Sequence, residues 1–339
     1  MRTEPVPVVD RGSTDPAVSV VLIFKDEERF IAEAIESVAA QTFTDWELVL
    51  VDDGSTDAST DIAKRWAAAA PERIRYVDHD AHRNLGMSAS RNLGIVEARG
   101  QYIASLDADD AFLPDKLADQ VFQLESHPDA AMVFGPLLRW RRWTGDPEAV
   151  DHEDLMGVGR RKYGTHPLAG KVVPPPALAS LMLGDDYFIP GGALFRTGVL
   201  QSVGCYDPSF RGMYEDAVLM MKICARYPVL VTDQIGYLYR MHPESNTHLT
   251  SGDAEIDRSR NAYLDRVGEL FDELEAEGRP VPRSLWRAWR RAYRSSRRRR
   301  RLRHELLAAG RAVGRVVLPA ASRDWLRHRW RDRTRPDVL

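Results

Sequence analysis

A chain of 339 residues with 44% apolar and 29% charged side chains has the composition of a soluble globular protein and the length for one large α/β domain with an appendage, or for two domains. No apolar run approaches the roughly 18 to 20 residues that span a bilayer, and the opening MRTEPVPVVDRGSTD has no apolar core, so neither an anchor nor a secretory signal is expected. The net charge of −3 hides an asymmetry: residues 279–339 carry twenty Arg, no Lys and four acids, a net of +16, which leaves −19 on residues 1–278.

Residues 1–17 read as a loose leader. SVVLIF (19–24) is a buried strand, and DEERFIAEAIESVAAQ, with apolar positions at Phe30, Ile31, Ala34, Ile35 and Val38, is an amphipathic helix. WELVLVDD (46–53) is a second strand; GSTDASTDIAKRWAAAA turns at Gly54 and opens a helix with capping residues. IRYVDH is a third strand, MSASRNLGIVEA (87–98) a helix, and GQYIASLDADD a fourth strand. PDKLADQVFQLESHP is predicted helical with Pro114 in its first turn, and AAMVFG is a fifth strand. Such regular alternation predicts a parallel, doubly wound sheet.

Beyond Gly135, proline, glycine and Trp/Arg clusters predict a loop-rich region leading to a helix at ALASLML. FRGMYEDAVLMMKICARY is a half-buried helix opened by Glu215 and Asp216, VLVTDQIGYLYRMH holds closing strands, and AEIDRSRNAYLDRVGELFDELEAEG is a long amphipathic helix. The Arg-rich remainder reads as helical, broken by Pro319. Cys205 and Cys224 lack metal or redox spacing and are expected as free thiols.

Ligands of doubly wound sheets sit beyond the carboxyl ends of the strands, where Asp52, Asp53, Asp107, Asp109 and Asp110 all fall. Two carboxylates about 5 Å apart repel by roughly 3 kcal/mol at an effective dielectric near 20, so this cluster calls for solvent or a cation.

Five ordered segments, VSVVLIFKDEERFIAEAIESVAAQTFTDWELVLVDDGSTDAS, NLGMSASRNLGI, YIASLDADD, GGALFRTGVLQSVGCYDPSF and MYED, closely resemble family-two glycosyltransferases of the GT-A fold over about 18–242. The resemblance implies a Rossmann-like, mostly parallel sheet flanked by helices, with a helical basic extension at the C-terminus. It divides the chain into a glycosyltransferase domain at 18–250, with a nucleotide-binding half (18–135) and an acceptor half (136–250), and an Arg-rich extension at 251–339. It implies transfer of a sugar from a nucleotide-diphosphate sugar to an acceptor hydroxyl with inversion, helped by Mn²⁺ or Mg²⁺, hard cations that take carboxylate oxygens.

By the same resemblance Asp107 and Asp109 are the two aspartates of the DXD motif, Asp109 the stronger metal ligand and Asp107 also within reach of ribose. Asp53 matches the base-binding aspartate, Arg91 an arginine near the diphosphate, Asp216 the general base, and Glu215 a residue that positions it or meets the acceptor. His242 matches a histidine presented to the metal, and Gly191 and Gly192 allow close approach of acceptor or donor sugar. From the residues alone, Asp110 is expected to cap the turn toward Pro114, and Trp140, Trp143 and Tyr163 to stack on a sugar or to pack. The chain departs from the family at IFKD (23–26), where Pro-Thr-Tyr-Asn is usual. Phe24 is still expected against the base, but the change leaves UDP as the default nucleotide with GDP and dTDP open.

A nucleotidyltransferase, which shares such a sheet and its aspartates, is the alternative enzyme, yet IFKDEERF lacks its glycine-rich loop. A nucleic-acid-binding role for the tail matches no known module. The tail fits an anionic membrane surface, with Leu, Val and Trp in the headgroup layer, and equally a helix docked on the acidic body or a partner. The first suits a lipid-linked or cell-envelope acceptor and a cytoplasmic protein held at the inner face of a membrane.

Overall fold

The computed structural model describes residues 5–8, 12, 14–154, 168–184, 192–211, 213–245 and 253–314. Gly191, Tyr163 and Pro319 lie outside the described residues. In chain order the strands are β1 (Val18–Phe24), β2 (Trp46–Asp52), β3 (Ile74–Asp78), β4 (Tyr102–Asp107), β5 (Ala111–Phe112), β6 (Met132–Phe134), β7 (Leu137–Trp140), β8 (His152–Asp154), β9 (Lys171–Val173), β10 (Leu194–Arg196), β11 (Val229–Val231) and β12 (Tyr237–Arg240). The helices are α1 (Ile31–Ala39), α2 (Ser59–Ala69), α3 (Met87–Glu97), α4 (Lys116–Ser126), α5 (Ala177–Met182), α6 (Thr197–Ser202), α7 (Glu215–Cys224), α8 (Asp253–Ala276) and α9 (Arg283–Gly314).

The main sheet has the order β3-β2-β1-β4-β10-β6-β11-β9. β3, β2, β1 and β4 run parallel, and β10 lies antiparallel between β4 and β6. The parallel strands are those that the alternation predicts, in the mostly parallel, helix-flanked sheet that the resemblance implies. β1 is buried at every position because helices cover both faces of the sheet. On one face α1 contributes Ile31, Ala34, Ile35 and Val38, the i, i+3, i+4, i+7 stripe of its sequence. The α3 helix approaches β1 and β2 through Gly94, where a Cβ would stand 2.3 Å from Val21 Cγ1. That close approach brings Arg91, one turn earlier, to the strand ends.

The loop-rich region differs from its prediction. It contains β7, β8 and β9, which with β5 and β12 extend the architecture; β5-β12-β7-β8 is a second, four-stranded sheet. Strands of two to four residues are too short to show an alternating pattern, so nothing in the sequence marks them. The α4 helix starts at Lys116, after Pro114.

The junction of the two sheets holds an unusual group. Lys116 is 3% exposed, its Nζ lies 4.1 Å above the Phe112 ring and has no hydrogen-bond partner, and burial lowers its pKa to about 7. A lysine whose folded pKa falls below its unfolded value makes the protein gain stability as pH rises from about 7 toward 10.5. Lys116→Met is therefore expected to raise stability at pH 7 by about 1–3 kcal/mol. The gain shrinks toward pH 10, as urea titrations at the two pH values will show; a loss at pH 7 would mean the ammonium is needed.

Two compact units are present, Met1–Ala292 and Tyr293–Leu339. In the first, α8 packs on α7, with the rings of Tyr214 and Tyr263 stacked at 5.4 Å. Among the described residues no helix is long and apolar enough to cross a membrane. Cys205 and Cys224 are free, Cys224 buried.

Candidate active site

The register aligns the carboxyl ends of four strands, β1 to β4: Phe24 pairs with Asp52, Ile23 with Asp107, and Asp52 with Asp78. The acidic motifs after β2 and β4 therefore share one edge. Phe24 itself is buried in the core at that edge, and its carbonyl accepts the N–H of Asp53 at 2.9 Å.

Two loops at this edge are zipped together. Asp26, held at φ +56°, accepts the Thr56 N–H at 2.6 Å, and its own N–H donates to Ser55 Oγ at 3.1 Å. The N–H of Glu27 donates to Ser59 Oγ, and that of Glu28 to Asp57 Oδ2. The capping residues of DGSTDAS thus serve the neighbouring loop as well as α2. Asp52, fully buried, accepts from the Ser55 N–H, Thr60 Oγ1 and the Tyr76 hydroxyl.

Asp53 accepts the backbone N–H groups of Leu85 (2.8 Å) and Gly86 (3.0 Å), so its charge sits at the N-terminus of α3. A carboxylate there stabilises the helix through its unpaired N–H groups and dipole. It thereby fixes the helix that carries Arg91.

Arg91 is the centre of the site. Its guanidinium is 7% exposed and donates through Nη2 to Asp107 Oδ1 at 2.7 Å and through Nη1 to Glu215 Oε1 at 3.1 Å. Asp216 Oδ1 is 4.0 Å from Nη1. Burial alone would weaken the cation; the carboxylates of Asp107, Asp216 and Glu215, with Tyr206, outweigh it and hold the Arg91 pKa well above its usual value. One buried cation thus joins the motif after β4 to the pair that opens α7. Glu215 is buried, and burial first, then its neighbour Asp216, push its carboxyl well above the usual range against the pull of Arg91. Asp216 is 35% exposed on its side chain, and its Oδ1 is buried without a hydrogen-bond partner.

Asp109 faces the other way. Its Oδ2 accepts a hydrogen bond from His242 Nε2 at 3.1 Å, while His242 Nδ1 is buried without a partner. The imidazole packs on the Phe30 ring at 4.9 Å. Arg240, 2% exposed, lies over Phe30 (4.6 Å) and Trp140 (4.3 Å) and donates through Nε to the Asp109 carbonyl at 2.6 Å. Trp143 sets its edge against Phe30 and donates its Nε1–H to the Met241 carbonyl, so both tryptophans pack around the turn.

Asp110 departs from its expected role. It does not cap the helix: its carboxyl accepts the Tyr237 hydroxyl at 2.6 Å and the Arg240 N–H at 2.8 Å, tying the turn to β12. Burial first, and then Asp109 and Asp107, push that carboxyl well above its usual pKa. Gly192, at φ +63°, lies against Tyr237, whose Cδ2 would be 2.5 Å from an added Cβ. Its carbonyl accepts from Gln120 Nε2 at 3.0 Å.

Two contributors were not singled out from the sequence. Arg240 gave no signal beyond its place near His242. Glu27 gave one, since it follows β1 at the ligand-binding edge. Burial first, then the carboxylates of Asp109, Asp107, Asp57 and Glu244, push the Glu27 carboxyl up to about 8.

Among the described residues no group of three or more His, Cys, Asp or Glu side chains is spaced to hold a metal ion. The donors nevertheless suit Mn²⁺ or Mg²⁺ bound through one or two carboxylates and a substrate's phosphates. Asp107 is 39% exposed on its side chain and Asp109 19%. His242 donates to Asp109 here, so it orients that carboxylate; coordinating a cation through Nε2 would require it to let go.

Residues 19–156 match the profile described as Glycosyl transferase family 2. The putative glycosyltransferase EpsE of Bacillus subtilis (strain 168) is 41% identical over 115 residues, 34% of this chain and 41% of that protein, so the chain spans less than half of that relative. An uncharacterized glycosyltransferase of Nostoc sp. is 28% identical over 263 residues, 76% of this chain and 75% of its own length. Among solved structures, the mannosyltransferase PcManGT from Pyrobaculum calidifontis, in complex with GDP-Man and Mn²⁺, superimposes with a TM-score of 0.55 at 18% identity, covering 94% of this chain and 81% of that one. At that identity the likeness speaks for the fold alone. The profile match covers the strands that carry the acidic motifs, and with the fold observed these likenesses support a family 2 glycosyltransferase.

Proposed function

We infer that the protein moves a sugar from a nucleoside-diphosphate sugar, UDP-linked by default, to an acceptor hydroxyl with inversion. The observation that carries this reading is the bridge from Asp107 through Arg91 to Glu215, with Asp216 alongside. It gathers the candidate donor-binding and base carboxylates around one buried cation. In the reading, Asp216 takes the proton of the acceptor hydroxyl as its oxygen bonds to the anomeric carbon; the bond from that carbon to the diphosphate oxygen breaks, and its electron pair leaves with the nucleoside diphosphate. Glu215 and Arg91 hold Asp216 in place. Asp107 and Asp109 would hold the divalent cation, which when bound neutralises charge developing on the leaving diphosphate. Asp53 and the zipped loops form the floor for the nucleotide, and the Gly192 turn lies on the sugar or acceptor side. The acceptor is a glycan, a lipid-linked sugar or a small molecule.

The solved mannosyltransferase carries GDP-Man, so GDP belongs beside UDP and dTDP in the test. Thermal melts with each nucleoside diphosphate, with and without Mn²⁺ or Mg²⁺, are expected to show one nucleotide raising Tm by a few degrees. Saturation at about 100 times Kd stabilises by about 2.7 kcal/mol. Chelation should cancel the shift, and hydrolysis of the matching nucleotide sugar should follow the same metal dependence. If no nucleoside diphosphate moves Tm in either metal, the reading fails.

A further inference from the structure

The α9 helix shows a face that the proposed transfer does not use. In the first compact unit Arg283, Arg287, Arg290 and Arg291 are exposed. At about 100° and 1.5 Å per residue, all four fall within roughly a 100° sector and spread over about 12 Å. No acid occurs between Glu277 and Glu305 to break the field.

The other face is already occupied. Leu285 and Ala292 are buried. Trp286 sets its ring edge-on to Phe271 at 5.2 Å and donates Nε1–H to Glu275 at 2.9 Å. Trp289 donates to the Leu264 carbonyl at 2.7 Å and fills the space left by Gly268. These rings fasten α9 to α8. They are not free to enter a headgroup layer, as a reading of the sequence alone has them, nor to stack on the bases of a single-stranded nucleic acid, the usual grip on such strands.

We propose that the exposed arginine face of α9 docks on an anionic membrane surface, and that it does so by charge without inserting the helix. A single-sided basic sector meets a flat sheet of phosphates with every guanidinium at once, and each basic residue near such a surface strengthens binding by about fivefold. The surface is independent of the transfer chemistry.

The test is cosedimentation of the intact chain with phosphatidylcholine vesicles, with and without phosphatidylglycerol, in about 0.1 M and about 1 M salt, which shortens the screening length from about 10 to 3 Å. Binding is expected only with phosphatidylglycerol and is lost in high salt. The combined variant Arg283→Gln, Arg287→Gln, Arg290→Gln and Arg291→Gln is expected to bind at least tenfold more weakly with an unchanged Tm. Equal binding to neutral vesicles, undiminished binding by the variant, or tighter binding to single- or double-stranded nucleic acid than to anionic vesicles would each overturn the proposal.

Discussion

Asp216→Asn is expected to lower kcat by roughly 10²–10⁴-fold, the usual contribution of a general base, with little change in KM for the donor. Asn keeps the size of Asp but cannot take the acceptor proton. The same change should leave the melting temperature unchanged or slightly higher, because Asp216 is a like-charged neighbour of the buried Glu215. Loss of turnover with intact stability distinguishes a catalytic carboxylate from a helix-capping one. A capping acid at the start of α7 would instead show a lower Tm and near-normal turnover. Full transfer by Asp216→Asn would remove the base assignment and leave the donor site untouched.

Arg91→Leu is expected to cost about 3–5 kcal/mol of stability, read from urea unfolding, and most of the activity. Removing one partner of a buried ion pair strands the other charges, and here Glu215 is enclosed while Asp107 is partly open. The sign of the pH dependence follows. Carboxyls whose folded pKa is raised contribute their full stability when protonated at low pH and lose it as pH rises through the folded pKa, so the deficit of the variant should narrow on acidification. Arg91→Lys keeps the charge but loses the fork that spans Asp107 and Glu215, and should recover only part of the stability. A combined Arg91→Leu, Glu215→Gln chain should be less damaged than the two losses added, since the residues share one interaction. If Arg91→Leu unfolds at the same urea concentration as the parent, the bridge is not what holds the site.

The sequence made residues 18–135 legible because each element there is long enough to display its period. β1, α1, β2, α3 and β4 each show five or more residues of pattern, and the acids at their ends mark the edge. Legibility failed where structure depends on partners distant in sequence. Asp110 reads as a turn residue, yet its partners Tyr237 and Arg240 are about 130 positions away. Arg91 and Glu215 are 124 positions apart and meet only once α3 and α7 are in place. The second sheet was hidden by its brevity, and Trp143 could be read as a sugar platform until the Phe30 and Met241 contacts showed what it packs against.

The tie from Asp110 to β12 has a consequence for how the protein is made. Synthesis proceeds from the N-terminus, and domains fold as units. When the ribosome has delivered residues 18–135, β4 still lacks β10 on its open edge, and Asp110 still lacks the hydroxyl and N–H that its carboxyl accepts. The acidic turn gains its full set of partners only after Arg240 has emerged. A nascent chain or a fragment that stops short of that point carries the whole acidic turn in its sequence and lacks the strand that holds Asp110.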